Sequence, residues 1–382
     1  MRRVYLDNAA TTNVRSDIAF IISEIARETY GNPSSVMYEE GYDANKLLKR
    51  ARDGIEKILG VGDTGHIYFT SSGTESDNWA IKGVAWASKD KGNHIITSKI
   101  EHHAVLKSCK FLEKYGFDIT YLDVDNNGLV DPQDVANAIT DKTVLISIML
   151  ANNEIGIIEP IKEISQIAHQ RNVLIHTDAV QAVVHMPIDI EELGVDLLSF
   201  SAHKFHGPKG IGGLYVRDGV NIAPLLHGGS QEDNMRASTV NLPGIIGMGC
   251  ALEVGNEHLD NQIKYMQEMR QDFLQQILSI CPDAKLIGHP SLRLCNNLNI
   301  MLTEVEAETL VLLLDHEGVS ASTGSACNTG SLEPSHVLKA IGLSDKEAHS
   351  CIRFSLDSST TQKDIEYAVE AIKKALREYN KL

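Results

Sequence analysis

Cysteine is scarce in this sequence, and no two of its six cysteines form a CxxC pair. A zinc knuckle and a disulfide framework both need clustered or regularly spaced cysteines, so neither is predicted. Scattered cysteines favour a reducing compartment, and we expect a cytoplasmic protein, with a processed organelle protein as the alternative. The six residues are Cys109, Cys250, Cys281, Cys295, Cys327 and Cys351.

Basic residues are few relative to acidic ones, since 35 Lys and Arg against 51 Asp and Glu give a net charge of -16. That charge disfavours direct, phosphate-driven binding of nucleic acid. No apolar stretch approaches the about 20 residues of a membrane span, and the strand-like start at residues 4–6 has no signal-peptide pattern. Internal repeats and low-complexity tracts are absent. The 382 residues, of which 43% are hydrophobic, predict a large core and two domains.

Short apolar runs alternate with amphipathic stretches through the first part of the chain. The predicted strands are 67–70, 95–98, 119–122, 144–150, 173–177 and 197–200. Such alternation predicts a mostly parallel sheet covered by helices on both faces. Ligands of these sheets bind beyond the carboxyl ends of the strands, where Thr70, Asp178 and Ser201 follow the runs. We therefore expect candidate site residues to converge at that edge.

Two apolar stripes at helical spacing precede the sheet, and both are interpreted as packing faces. They consist of Ile18, Ile21, Ile22 and Ile25, and of Leu47, Leu48, Ala51, Ile55 and Ile58. After about residue 250, the pattern predicts a long helix through Ile280, strands at 298–302 and 352–356, a helix at 307–316 and a final helix. This part is predicted to form a smaller α+β domain.

The segment 199–210, Ser-Phe-Ser-Ala-His-Lys-Phe-His-Gly-Pro-Lys-Gly, places Lys204 directly after a strand, beside Ser201 and His203. A lysine at such a strand end is a candidate for a Schiff base, and an ordinary exposed lysine is the alternative. Pyridoxal phosphate chemistry needs a lysine to hold the cofactor, a carboxylate to keep the pyridine nitrogen protonated and hydroxyls for the phosphate. Asp178 supplies a carboxylate at another strand end, unless it only caps the following helix.

The segment 70–76, Thr-Ser-Ser-Gly-Thr-Glu-Ser, lies between a strand and a helix that we expect to begin near Asp77. Its small residues favour backbone contacts to a phosphate at a helix N-terminus, with an ordinary helix cap as the alternative. Histidines also occur in pairs, at 102–103 and at 203 and 206. No metal site is predicted from them, because no carboxylate or cysteine stands at ligand spacing.

The loop 318–336 is rich in Gly, Ser and Thr, which is typical of a mobile surface segment. A cysteine in such a loop is unsuited to core packing, so Cys327 is predicted to be a catalytic nucleophile. A reference pKa of about 8.5 leaves a few per cent of a thiol ionised at neutral pH before any activation. The other cysteines are interpreted as buried or incidental thiols.

Seven ordered blocks resemble the pyridoxal-phosphate cysteine desulfurases of the nitrogen-fixation and iron-sulfur-cluster group, within the class V aminotransferase superfamily of fold type I. The blocks are 5–12, 31–35, 69–78, 101–105, 152–156, the Lys204 segment and 322–327. The resemblance implies an α/β fold. Its large domain, 15–255, would carry a mostly parallel seven-stranded sheet. The small α+β domain would comprise 1–14 and 256–382, with the catalytic-cysteine loop at about 320–334.

The same resemblance implies roles for individual residues. Lys204, His102 and Cys327 would be catalytic, with His102 stacked on the cofactor ring. Asn153 and Arg353 would bind the substrate, and Arg353 would contact the substrate's carboxylate. The alternative for Arg353 is an ordinary exposed arginine on a strand. Cofactor contacts are implied for Gly73, Thr74, His102, Asn153, Asp178, Gln181, Ser201, His203, Lys204 and Thr239, the last reaching the site of a neighbouring subunit in a homodimer.

The implied reaction converts L-cysteine to L-alanine and leaves the sulfur as a persulfide on Cys327. An acceptor protein, such as an iron-sulfur scaffold or a thiolation enzyme, would then take the sulfur. Three alternatives stay open: a class V aminotransferase, a selenocysteine lyase and a catalytically silent sulfur-relay subunit.

Several glycines usual in the family are replaced in this chain. Ser72, Ala202, Asn234 and Ser238 stand at such positions, and Asp357 begins a pair, Asp-Ser, where Gly-Arg is common. A replaced glycine is strained wherever the backbone needs a positive φ, although Asn tolerates that region better than most residues. Ser238 adjoins Thr239, so strain there would affect the predicted contact between subunits.

Overall fold

The computed structural model describes residues 2–323 and 333–381. The strands are β1 Val4–Tyr5, β2 Gly65–Thr70, β3 His94–Ser98, β4 Asp118–Leu122, β5 Thr143–Ser147, β6 Leu174–Asp178, β7 Leu197–Ser201, β8 Gly212–Arg217, β9 Lys285–Leu286, β10 Asn297–Met301, β11 Val319–Ser320 and β12 Cys351–Ser355. The helices are α1 Ser16–Glu28, α2 Glu39–Ile58, α3 Gly73–Ala87, α4 His103–Glu113, α5 Pro132–Ala138, α6 Ile161–Gln170, α7 Ile190–Leu193, α8 Leu242–Glu257, α9 Leu259–Ile280, α10 Ala307–His316, α11 His336–Ala340, α12 Asp345–Ala348 and α13 Gln362–Tyr379.

A seven-stranded sheet in the order β2-β8-β7-β6-β5-β3-β4 forms the centre of the described chain. Neighbouring strands pair in parallel except where β8 lies between β2 and β7 and is antiparallel to both. The remaining strands therefore point the same way, and their carboxyl ends share one edge. The predicted mostly parallel α/β sheet is confirmed.

Helices cover both faces of this sheet, as the continuous apolar strands require. On one face, α2, α6 and α8 bury residues such as Ile55, Ile164 and Ile245 against the strands. On the other face, α3 and α4 bury Trp79 and Val105. Each large apolar side chain so buried stabilises the fold by about 1.5–3 kcal/mol. The stripes predicted on α1 and α2 are packing faces in this core.

A second group of elements follows the large sheet. A three-stranded antiparallel sheet, β12-β10-β9, packs with α9, α10 and α13, and the short β1 pairs in parallel with β11. Val4 and Leu6 from the start of the chain belong to this hydrophobic cluster, so the N-terminal segment joins the C-terminal elements. No helix in the described ranges is long and apolar enough to cross a membrane.

Three predicted boundaries were wrong. The helix expected near Asp77 begins at Gly73, because the Ser72 side chain accepts a hydrogen bond from the Glu75 amide and caps it. The strand predicted at 144–150 ends earlier, at Ser147. The single long helix predicted through residue 280 is two helices, broken at His258, whose φ of -132° and ψ of 35° are not helical.

Candidate active site

One cavity of about 400 Å³ lies at the shared carboxyl edge of the large sheet. Its lining is Ala9, Ala10, Ser72, Gly73, Thr74, Asp77, His102, Met149, Asn153, Asp178, Val180, Gln181, Ser201, His203, Lys204 and Arg353. Of the predicted site residues that the structure describes, all except Thr239 line this cavity. Larger grooves elsewhere on the described surface, such as the one near Lys373, contain none of these residues.

Lys204 enters the cavity from the turn of 3₁₀ helix, Ala202–Lys204, that follows β7. Its Nζ donates hydrogen bonds to the carbonyl oxygens of Ala9, at 2.6 Å, and Ala10, at 2.8 Å. Gln181 Nε2 donates to the Ala9 carbonyl as well, at 2.9 Å. The N-terminal segment therefore forms the wall against which the lysine is held, a contact for which the sequence carries no local signal.

His102 and Asp178 both line the cavity, and polar atoms of their side chains lie within 4.8 Å of each other. His102 Nδ1 accepts a hydrogen bond from the Ala104 amide and so caps α4. Burial, together with the charge of Lys204, lowers the pKa of His102 to about 4, so its imidazole is neutral at physiological pH. Burial raises the pKa of Asp178 to about 6, against the opposing effect of a hydrogen bond from the Val180 amide.

Arg353 is almost completely buried on β12, at 2% exposure, which rules out the exposed-arginine alternative. Its Nη2 lies 2.7 Å from Asp7 Oδ1, and its Nη1 donates to the Asn153 carbonyl at 2.9 Å. Its Nε has no hydrogen-bond partner in the described residues. A buried guanidinium with an unused donor beside a cavity is suited to bind a carboxylate.

One end of the cavity is formed by the start of α3 and the end of β7. A Cβ added at Gly73 would lie 2.6 Å from Val180 Cγ2, so only glycine leaves the helix N-terminus this close to the neighbouring loop. Ser201 Oγ is buried at the cavity wall without a hydrogen-bond partner in the described chain. An unsatisfied buried hydroxyl beside the open amides of a helix N-terminus favours an anion.

The sequence of this chain matches the family described as aminotransferase class-V over residues 4–368. The chain belongs to that family. A cysteine desulfurase IscS from Dictyoglomus turgidum is 52% identical over 98% of this chain and 95% of its own length. A second, from Methanosarcina thermophila, is 50% identical over 97% of this chain and 91% of its own.

A solved structure titled NifS-like protein agrees with the fold of this class-V chain. It superimposes with a TM-score of 0.92 at 38% identity, covering 99% of this chain and 100% of that one. These similarities confirm the predicted family and fold class, and with them pyridoxal phosphate as the cofactor.

The cavity of this class-V chain fits that cofactor. Its volume of about 400 Å³ is in the range of small-molecule sites. The orphaned Ser201 hydroxyl and the α3 N-terminus suit a phosphate, the Asp178 carboxylate suits a protonated ring nitrogen, and the Lys204 amine suits a covalent link. Pyridoxal phosphate offers all three complementary groups.

One predicted site residue lies outside the cavity, and another lies outside the described residues. Thr239 is exposed and does not line it. The segment that precedes Thr239 is tied to α3, because Arg236 Nε lies 2.9 Å from Glu75 Oε1. Cys327 lies outside the described residues. The five described cysteines are free thiols, none lining the cavity, and burial raises the pKa of Cys109, Cys295 and Cys351 to about 12.

The replaced glycines differ in backbone strain. Ser238 has a φ of 101° and Asn234 a φ of 65°, both in the left-handed half of the map. Ser72 has a φ of -175°, which is extended backbone, and Ala202 is not among the residues with positive φ. Backbone strain is therefore present at Ser238. It is smaller at Asn234, because Asn tolerates a positive φ, and it is absent at Ser72 and Ala202.

Replacing Ser238 with glycine is expected to raise the free energy of unfolding by about 1 kcal/mol, because glycine adopts this φ without steric cost. Ser72→Gly is the matched control. Its backbone needs no relief, and losing the helix cap costs a few tenths of a kcal/mol. Urea unfolding of both variants would measure the difference, and an equal change in the two would contradict the strain at Ser238.

Proposed function

We propose that this chain is a pyridoxal-phosphate-dependent cysteine desulfurase that converts L-cysteine to L-alanine and takes up the sulfur on Cys327. The relatives named cysteine desulfurase, about half identical over nearly the full length, confirm the predicted enzyme class. The observation in the structure that carries the proposal is the convergence of Lys204, His102, Asp178 and Arg353 on one cavity.

Each group at the ring end has a physical role. When bound, the cofactor supplies an electron sink for the charge that develops at the substrate Cα. Lys204 Nζ would hold the cofactor covalently and, once released, accept the proton from Cα. Asp178 would face the ring nitrogen, while Gly73, Thr74 and Ser201 would hold the phosphate.

His102 is suited to stacking and to proton transfer near the ring. With its pKa at about 4, the imidazole carries no charge at neutral pH, so it adds no repulsion toward the Lys204 ammonium. Its Nδ1 accepts the Ala104 amide as the α4 cap, which fixes the ring plane, so the neutral ring carries its own proton on Nε2. Protonation of His102 should therefore not limit activity above about pH 5.

Arg353 and Asn153 would bind the substrate's carboxylate at the other wall. The Asp7 contact orients the guanidinium of Arg353, which lines the cavity and whose Nε has no partner in the described residues. The Cys327 thiolate would then attack the substrate sulfur: the S–S bond of the persulfide forms and the C–S bond breaks, with its electron pair left on the substrate carbon. Protonation of that carbon would give the methyl group of alanine, which is then released.

Three further features of the proposal concern partners and location. A homodimer in which Thr239 reaches the neighbouring site is supported by its exposed position and by the anchoring of its loop through Arg236. The sulfur acceptor would be an iron-sulfur scaffold or a thiolation enzyme, and the location cytoplasmic. Size-exclusion chromatography with light scattering would test the dimer.

The proposal predicts that cofactor-loaded protein given L-cysteine and a reductant releases equal amounts of alanine and sulfide. Cys327→Ala is expected to lose both while keeping the cofactor's visible absorption, because the loop thiol takes the sulfur but does not hold the cofactor. Cys281→Ala, a half-buried thiol outside the cavity, is the matched control and should keep full turnover. Turnover retained in Cys327→Ala would contradict the mechanism, and a keto acid product would favour an aminotransferase.

A further inference from the structure

A buried polar cluster lies behind the cofactor cavity, on the face of the sheet that α3 covers. His176 and Asp178 stand two residues apart on β6, so both side chains project to the same face. Ser147 on β5 and Ser199 on β7 are their neighbours in the strand register. Asp77, in the second turn of α3, packs onto this group and also lines the cavity.

Asp77 is 1% exposed, so its carboxyl group is removed from water. Its carboxyl group faces Ser199 and Asp178, and its Oδ1 has no hydrogen-bond partner in the described chain. Side-chain polar atoms of Asp77, Asp178 and His102 all lie within 4.8 Å of one another. The tertiary structure therefore places two carboxyl groups beside His102, which sequence spacing alone did not indicate.

The neighbouring histidine does not neutralise this pair of acids. His176 Nε2 lies 3.7 Å from Asp77 Oδ1, but both ring nitrogens are already engaged, by Ser147 at 2.8 Å and Ser199 at 2.9 Å. Complete burial lowers the pKa of His176 to about 3, so the ring is uncharged.

Two adjacent buried carboxyl groups cannot both ionise without a large cost, so one of them keeps a proton. Burial, followed by the charge of Asp178, raises the pKa of Asp77 well above its usual range, and the Asp77 hydrogen bond lowers that of Asp178. The contacts agree with these directions, because Asp178 Oδ1 accepts the Val180 amide whereas Asp77 Oδ1 has no donor, so Asp77 is the acid that keeps the proton. The other titratable groups that face the pair are His176, Glu101, His102 and Lys204.

We propose that Asp77 is a positioning residue: it stays protonated and donates a hydrogen bond to the Asp178 carboxylate, which fixes the charge and orientation of that group toward the cofactor ring nitrogen. This inference deepens the proposed function and rests on the assignment of Asp178 made there. Asp77 touches the reaction only through Asp178.

The retained proton has a signature that needs no cofactor. A carboxyl whose pKa is higher in the folded chain than in the unfolded chain binds its proton more tightly when folded. Stability from this group is therefore complete below the unfolded pKa, about 3.9 for Asp, and falls as the pH rises toward the folded pKa. For one retained proton, the folding equilibrium constant falls about tenfold per pH unit in that window.

The test uses Asp77→Asn, which mimics the protonated acid and keeps a donor, and Asp77→Ala, which has none. In cofactor-free protein, urea unfolding between about pH 5 and pH 7 gives the slope of the free energy of unfolding against pH. In Asp77→Asn this slope should change by the equivalent of close to one bound proton. In cofactor titrations followed by visible absorption, Asp77→Asn should bind pyridoxal phosphate within about twofold of the unaltered chain. Asp77→Ala should bind about tenfold or more weakly, the effect of one charge-assisted hydrogen bond.

Glu159→Gln is the matched control, because Glu159 is a buried acid outside the cavity whose pKa burial raises to about 8. It should lose pH dependence of stability but keep cofactor affinity. Unchanged pH dependence in Asp77→Asn, or equal affinity in Asp77→Ala and Asp77→Asn, would overturn the inference. If Asp77→Ala does not fold, the pH dependence of stability in Asp77→Asn tests the inference by itself. Failure of the desulfurase function would appear separately, as absence of alanine from the unaltered protein.

Discussion

Lys204→Ala protein is expected to take up pyridoxal phosphate without the visible absorption of the covalently held cofactor, and to lose turnover by at least about 10²- to 10⁴-fold. The reason is that Lys204 supplies both the amine for the covalent link and the base for the Cα proton. Absorption spectra and alanine release from the same preparation measure the two effects together.

Structural damage must be separated from this chemical loss, because Lys204 Nζ also bridges to the Ala9 and Ala10 carbonyls. Lys204→Arg keeps a cation and hydrogen-bond donors without a nucleophilic amine, so it should fold with nearly unaltered stability and still be inactive. Lys209→Ala removes an exposed lysine five positions away and should be fully active. Visible absorption that persists in Lys204→Arg would exclude Lys204 as the cofactor-linked residue.

Arg353→Ala is expected to raise the KM for L-cysteine about 10- to 100-fold, because a charge-assisted contact to the substrate carboxylate is lost. It should also lower the free energy of unfolding by about 3–5 kcal/mol, since Asp7 is left with an unpaired and largely buried charge. Steady-state kinetics and urea unfolding measure the two losses.

A second buried arginine makes the substrate role separable from the structural one. Arg293 is 3% exposed, donates to the Ile155 carbonyl and to Asn297 Oδ1, and does not line the cavity. Arg293→Ala should therefore destabilise the fold without changing KM. If both substitutions left KM unchanged, Arg353 would be a structural arginine only.

Much of the sheet and of the site could be predicted from local sequence. Strand-like runs followed by Asp178 or Ser201 predicted the residues that gather at the carboxyl edge, because a parallel sheet brings those ends together wherever its strands lie. Lys204 was identifiable for the same reason. The segment 70–76 carried a local signal for a phosphate, and the resemblance selected Gly73 and Thr74 within it. The resemblance also added Asn153, whose neighbours in sequence are not distinctive, and the role of Thr239 stays a prediction.

Other members of the site have no local signal. Asp77 sits in a helix whose exposed face also carries polar residues, so its burial beside Asp178 is invisible in the sequence. Asp7 pairs with Arg353 across 346 positions. The Ala9 and Ala10 carbonyls could not be predicted as partners of Lys204, since any residue supplies a carbonyl. Two helix boundaries were predicted wrongly for a similar reason. The Ser72 cap and the break at His258 depend on individual hydrogen bonds and backbone angles.

The sequence by itself determined the alternation of strands and helices, the lysine and carboxylate at neighbouring strand ends, and the family. These properties depend on residue type and spacing within a few positions, which periodicity and motifs record. Only the tertiary structure decided that Arg353 is buried against Asp7, that the N-terminal segment forms a wall of the cavity, and that Asp77 faces Asp178. Such contacts depend on the strand order and on helix packing across the sheet, and they join residues whose own neighbours carry no trace of the partner.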